Sequence, residues 1–201
     1  MPQRALTEPW WTPWPGTGPG HDLLGDVTGL TVVELGCGKG DNAAALVAAG
    51  AKVTGVDYDP AKIAHAGRRW HGARRLQFEH AEATARLASL AAPVDVVCSI
   101  FGALSFTPAR PLLGHIARSL CPGGRLVIAA RTPGQATPPD QRYAAWEPHA
   151  RSANAWSLLL AACDLSVTTS LVFDHPTDPD ASGCVVLVAR RESPMANDSS
   201  E

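Results

Sequence analysis

The sequence predicts an α/β domain built on a doubly wound, mostly parallel sheet, and three observations carry that reading. A β-branched run, Thr31-Val-Val-Glu-Leu35, passes directly into a turn with glycines at 36, 38 and 40, as a buried strand does when it feeds a helix N-terminus. Short apolar runs with strand character recur at 52–56, 76–80, 94–99 and 125–130, with helical periodicity between them, which is the pattern of repeated βαβ units. The chain of 201 residues, 45% of them apolar, is long enough for one well-buried domain of this kind and too short for two ordinary ones.

Residues 1–20 are rich in proline and glycine and hold three of the six tryptophans, Trp10, Trp11 and Trp14. Such a segment forms no continuous helix or central strand, and two readings stand: its rings cover an apolar edge of the core, or they form part of a lid over a ligand site. A domain over 21–191 follows. A short helical lead-in from His21 ends near Gly29, and the first strand spans 31–35. Asp41 or Asn42 is expected to cap the next helix, whose small apolar residues Ala43, Ala44, Leu46, Val47 and Ala48 suit close packing on a sheet, with Gly50 at its C′ position. Asp57 ends the second strand. Asp59-Pro60 is a cap with a first-turn proline that opens a helix running to about Trp70, and the alternating run 76–80 is the third strand.

Beyond the fourth strand, Thr107-Pro108 reads as a cap and first-turn proline for a helix whose Leu112, Leu113, Ile116, Ala117 and Leu120 recur at helical spacing. Cys121-Pro-Gly-Gly124 stops that helix and reverses the chain into the fifth strand. Residues 131–150 form a long proline-containing connection that leaves the carboxyl end of a strand, and so face the substrate side. A helix over 152–163 turns Trp156, Leu159 and Leu160 to the sheet. Strands over 165–173 and 184–191 close the domain as a hairpin, and 192–201 reads as a frayed polar tail.

The glycine spacing separates nucleotide folds. Gly36-x-Gly38-x-Gly40 is followed by Asp41 where a dinucleotide fingerprint wants its last glycine, and no G-x-x-x-x-G-K-[ST] phosphate cradle is present. Glu34 before the first glycine, the alternating glycines and Val53-Thr-Gly-Val-Asp57 together resemble the class I S-adenosylmethionine-dependent methyltransferases, and the resemblance extends at lower specificity over residues 24–191. It implies a Rossmann-like seven-stranded sheet of order 3-2-1-4-5-7-6 with the last strand antiparallel, and S-adenosylmethionine as cofactor. It assigns Glu34, Gly36, Cys37, Gly38 and Gly40 to the cofactor's methionine end. Asp57, 17 residues beyond Gly40, and its neighbour Tyr58 fall at the ribose. Glu82 and Ala83 fall beside the adenine, with Glu where the family usually has Asp, and Ser99 opens a segment to Phe106 that forms a floor shared by cofactor and acceptor.

That floor carries no Asn/Asp-Pro-Pro-aromatic turn, which a DNA amino-methylating enzyme would want to hold an extruded base, and no acidic ligands of the kind a metal-dependent catechol enzyme would use. A net charge of −2 with mixed signs gives no footprint for nucleic acid or an anionic membrane. A small-molecule acceptor methylated at N, O or C is therefore expected, with Tyr143 and His149 in the long connection as candidate catalytic residues; His21 and His175 have no stronger claim. A cofactor- or partner-binding module without turnover is the alternative, and an NAD-dependent oxidoreductase is disfavoured by the glycine spacing and the terminal hairpin. Five cysteines without C-x-x-C spacing read as small core residues in a reducing compartment. The lack of a signal-peptide pattern or a long apolar run leads us to expect a cytoplasmic protein with no membrane association. The sequence leaves the oligomeric state open.

Overall fold

The structure, a computed structural model, describes residues 11–14, 17–20, 23–134 and 149–192. Its elements are β1 (Thr31–Leu35), α1 (Asp41–Ala48), β2 (Lys52–Asp57), α2 (Pro60–Arg69), β3 (Leu76–His80), α3 (Ala83–Ala88), β4 (Val94–Ile100), a 3-10 turn (Ala103–Ser105), α4 (Ala109–Ser119), β5 (Leu120–Arg131), α5 (Ala153–Ala161), β6 (Leu165–Phe173) and β7 (Cys184–Arg191). The seven strands form one sheet in the order β3-β2-β1-β4-β5-β7-β6. Strands β1 to β5 pair in parallel, while β7 runs antiparallel to both β5 and β6. The expected order and the reversed last strand are both present.

Alternation along the central strands splits the core into two layers. Val33, Leu35, Val97, Leu126 and Ile128 face α3, α4 and α5. Val32, Val53, Val96, Cys98 and Val127 face α1 and the segment carrying Trp11, Leu24 and Val27. Strands buried on both faces have no polar side to show, which is why they read as nearly continuous apolar runs. All five cysteines are free, and Cys37, Cys98 and Cys184 are buried within this core. Burial pushes the Cys184 thiol up to about 11 and raises those of Cys37 and Cys98 further, so all three stay protonated at neutral pH.

Four local expectations need correction. The stretch 24–30 is a series of turns and not a helix, because Gly25 and Gly29 take positive φ and Asp26 Oδ1 accepts the Thr28 N–H at 2.8 Å. Neither Asp41 nor Asn42 caps α1; Gly40 does so in a left-handed conformation with no side-chain bond. Thr107 does not cap α4, since its hydroxyl donates to the Ala103 carbonyl at 2.9 Å and Pro108 is itself the N-cap. Finally, β5 starts at Leu120, and residues 121–124 bulge out of it: the register steps from Val94 opposite Leu120 to Val96 opposite Arg125. The helix and the strand share a boundary there, with no turn between them.

The C-terminus of α1 behaves as expected. Gly50 N–H bonds to Val47 O and Ala51 N–H to Leu46 O, at 2.9 and 3.1 Å, a Schellman motif. Among the described residues, no helix is long and apolar enough to cross a membrane.

Candidate functional site

The strand order reverses between β1 and β4, so the chain leaves their carboxyl ends toward opposite faces and opens a crevice there. The β1–α1 turn forms one wall. Gly36 and Cys37 donate their N–H groups to the Val56 carbonyl at 2.7 and 3.0 Å, which pins the turn to the end of β2. Its three glycines all have positive φ, yet each answers a different demand. A Cβ on Gly36 would lie 2.6 Å from the Gly102 Cα and the Ala103 N, so this glycine lets the β1 and β4 ends touch backbone to backbone. On Gly40 it would lie 2.4 Å from the Phe78 ring, which with Trp70 closes the back of the turn. On Gly38 it would meet nothing within 4 Å. Gly38 is thus the point at which the turn faces open space.

Three carboxylates surround this turn. Asp57, 4% exposed, accepts the Gly38 N–H through Oδ2 and the Asp59 N–H through Oδ1, both at 2.9 Å. These bonds fix its orientation and use one lone pair on each oxygen, leaving one on each for a ligand. Asp41, in the first turn of α1, pairs with Arg69 at 2.8 Å. Glu34 is 2% exposed beneath the α1 N-terminus; the Asn42 side chain and the Ala43 N–H bond to it, and Oε2 has no partner. Its pKa is pushed up to about 8, first by burial and further by Asp41 and Asp57, against the pull of the Asn42 and Ala43 bonds.

The opposite wall is the β4 end. Ser99 is buried, and its Oγ accepts the Leu104 N–H at 3.1 Å, tying down the loop that follows. Phe101 holds a left-handed φ of 46° while its N–H bonds to Ala129 O at 2.7 Å. A bulky residue is rarely found there. No sequence cue marked this strain, whereas Gly102 could have been noticed: a Cβ on it would sit 2.1 Å from Leu35 O. From Ser99 to Phe106 the floor contains no ionisable side chain.

The remaining expected residues are placed as follows. Tyr58 is exposed, with Lys62 Nζ 5.9 Å from its ring centre, and its carbonyl is 2.9 Å from His80 Nε2. Glu82 caps α3 by accepting the Ala85 N–H at 2.8 Å. Burial works to raise its pKa, but bonds from Thr84 and Ala85 leave its carboxyl below the ordinary value. Ala83, next to it, is buried. His149 is half-buried just before α5, and its carbonyl accepts from Arg151 Nη1 at 2.6 Å. Tyr143, like Trp10 and His21, lies outside the described residues. Trp11 is 2% exposed in the α1-side core, whereas Trp14 stands edge-on to His175 at 5.4 Å with the Arg131 guanidinium 5.6 Å from its ring.

Taken together, an open backbone turn ringed by Glu34, Asp57 and Asp41 suits a ligand that brings positive charge and hydroxyl groups more than one that brings a pyrophosphate. Comparison with known proteins points the same way. Residues 32–124 match the methyltransferase domain family. The chain is 36% identical over 102 residues to demethylmenaquinone methyltransferase of Clavibacter sepedonicus, covering 51% of this chain and 41% of the relative. It is 34% identical over 186 residues to trans-aconitate 2-methyltransferase of Methylobacterium nodulans, covering 87% and 66%. The crystal structure of magnesium protoporphyrin IX methyltransferase from Synechocystis PCC 6803 with bound S-adenosylmethionine superposes with a TM-score of 0.63 at 20% identity, over 85% of this chain and 74% of that one. At that identity the likeness is one of fold.

Proposed function

The chain belongs to the class I S-adenosylmethionine-dependent methyltransferases, and on that premise we propose that it moves a methyl group from this cofactor to a small-molecule acceptor. The observation that carries the proposal is the turn just described, open at Gly38 and bordered by carboxylates that no neighbouring cation other than Arg69 pairs at close range among the described residues. In this reading the 36–40 turn, including Cys37, encloses the methionine end above Glu34. The two remaining lone pairs of Asp57 accept from the ribose hydroxyls, Tyr58 borders the sugar, and Ala83 and Glu82 border the adenine.

The cofactor supplies an activated methyl group; the protein's part is to hold acceptor and donor in line and to exclude water. The floor from Ser99 to Phe106 serves that part with an apolar surface and a rigid backbone. It offers no base, so Tyr143 and His149 from the β5–α5 connection are the candidates for removing an acceptor proton, and Trp14 and its segment are the candidates for closing the acceptor side. The two relatives named above, for demethylmenaquinone and trans-aconitate, carry small acceptors in their names, which supports that class, while a third, 30% identical over 132 residues, is named for ribosomal protein L11. The chain spans 41% and 66% of the lengths of the first two.

Isothermal titration with S-adenosylmethionine, S-adenosylhomocysteine and NADH tests the cofactor: the first two bind and NADH does not. An acceptor screen with labelled methyl donor tests turnover. The base-free floor favours one alternative, a cofactor-binding module without turnover, and cofactor binding with no labelled product from any acceptor would select it.

A further inference from the structure

We propose that Glu34 is a proton-linked positioning residue: it carries a proton in the ligand-free site and releases it to solvent when the positively charged methionine end of the cofactor occupies the 36–40 turn. The inference rests on the proposed cofactor and deepens that reading, since it concerns what the turn does to bind a cation and not whether it does so.

The geometry argues it. The side chain leaves β1 between Gly55 on one neighbouring strand and Cys98 on the other, so it has no polar cross-strand partner. Its two hydrogen bonds come from one element only, the Asn42 side chain and Ala43 N–H of α1, and Oε2 is buried without a partner. Among the described residues, the charges that act on it are the acidic Asp57 from β2 and Asp41 from α1, with the thiols of Cys37 from the turn and Cys98 from β4 beside it; Lys62 of α2 and Arg125 of β5 act on those thiols and not on Glu34 itself. Arg69 of α2 pairs with Asp41. A buried carboxyl among carboxylates is stabilised in its neutral form, and only a new positive charge inside the same water-poor pocket reverses that preference. Burial at the α1 N-terminus then becomes an advantage, because the ionised form gains from the helix dipole and the Ala43 amide once the neighbouring charge is balanced.

The proton balance is simple. One O–H bond of the Glu34 carboxyl breaks, the proton passes to buffer, and the carboxylate remains beside the bound cation. Proton release is read directly by titrating S-adenosylmethionine calorimetrically at pH 7 in two buffers of different ionisation enthalpy, for the wild type and for Glu34→Gln, a near-isostere of the protonated acid. Subtracting the variant cancels any proton taken or lost by the cofactor's own amino group. The expected result is a difference approaching one proton per cofactor, together with a wild-type-to-variant affinity ratio that grows by up to tenfold per pH unit below about 8 and then levels off. Equal proton counts in the two proteins, or a ratio independent of pH, would overturn the proposal. Should that variant fail to fold, Glu34→Ala takes its place in the same subtraction, and equal proton counts again overturn the proposal. Absence of cofactor binding by the wild type at any pH would instead remove the cofactor assignment on which the inference stands.

Discussion

At the residue scale, Glu34 shows what a motif leaves unsaid. Its place before three alternate glycines is legible as text, but its burial depends on α1 folding back over the strand, and the unpaired Oε2 depends on Gly55 lying opposite it. Its folded pKa, near 8, lies above the ordinary 4.5, so between those values the folded protein holds more protons than the unfolded chain. The Glu34 contribution to stability is therefore complete below about 4.5, declines as pH rises to about 8, and is flat beyond. Thermal melts of the ligand-free protein from pH 5 to 8 should show a decline that Glu34→Gln reduces; parallel profiles would mean that the carboxyl is ionised throughout. The glycines are equally divided in consequence. Gly40→Ala forces a Cβ into Phe78 at a φ of 78° and should cost about 1–3 kcal/mol in urea denaturation, whereas Gly38→Ala meets open space, carries only the left-handed strain of its φ of 56°, about 1 kcal/mol, and should act in addition on cofactor affinity. Asp57→Asn replaces one of two acceptor oxygens with a donor facing a backbone N–H, and a loss of about 10–100-fold in cofactor affinity is expected by calorimetry.

At the element scale, strand positions were legible because parallel strands buried on both faces are written as uninterrupted apolar runs, and α2 because Asp59-Pro60 is an unambiguous start, with Asp59 Oδ1 accepting from the Ala61 and Lys62 amides. The ends that misled share a cause. Asp41 and Thr107 are good capping residues by type, but other bonds claimed them: Asp41 pairs with Arg69 across to α2, and Thr107 donates locally, four residues back, to the Ala103 carbonyl. The Pro-Gly-Gly sequence after Cys121 announces a reversal, and it is spent within β5 as a bulge because Leu120 already pairs with Val94. Glu82 is the element-scale ambiguity that bears on function, since one carboxylate is asked both to cap α3 and to border the adenine. Glu82→Ala should lower stability by about 1 kcal/mol for the lost cap, and cofactor affinity should fall with it. Lower stability with unchanged affinity would confine the residue to its structural task.

At the scale of the whole molecule, the sheet order puts the glycine turn and the β4 loop side by side, and the two core layers hold them there from opposite faces. That arrangement was legible from strand count and glycine spacing. The division of labour in the first 20 residues was not, because composition records tryptophans without recording which surface each ring meets. Trp11 belongs to the same apolar layer as Val32, Leu46 and Val96, and its indole N–H bonds to the Gly20 carbonyl at 3.3 Å, so it closes the α1 face as a core residue. Trp14 is only half-buried and touches the carboxyl end of β5 and the β6–β7 connection through Arg131 and His175. The two rings should then separate in experiment. Trp11→Ala empties a core site and should cost about 3–5 kcal/mol in chemical denaturation, shifting the midpoint for the whole domain. Trp14→Ala gives up a half-buried cation–π contact and an edge contact, for about 0.5–2 kcal/mol, and should show instead as a raised acceptor KM with cofactor affinity unchanged. If the two substitutions cost the domain the same stability, the segment is a uniform cover for the core and Trp14 has no separate claim on the acceptor side.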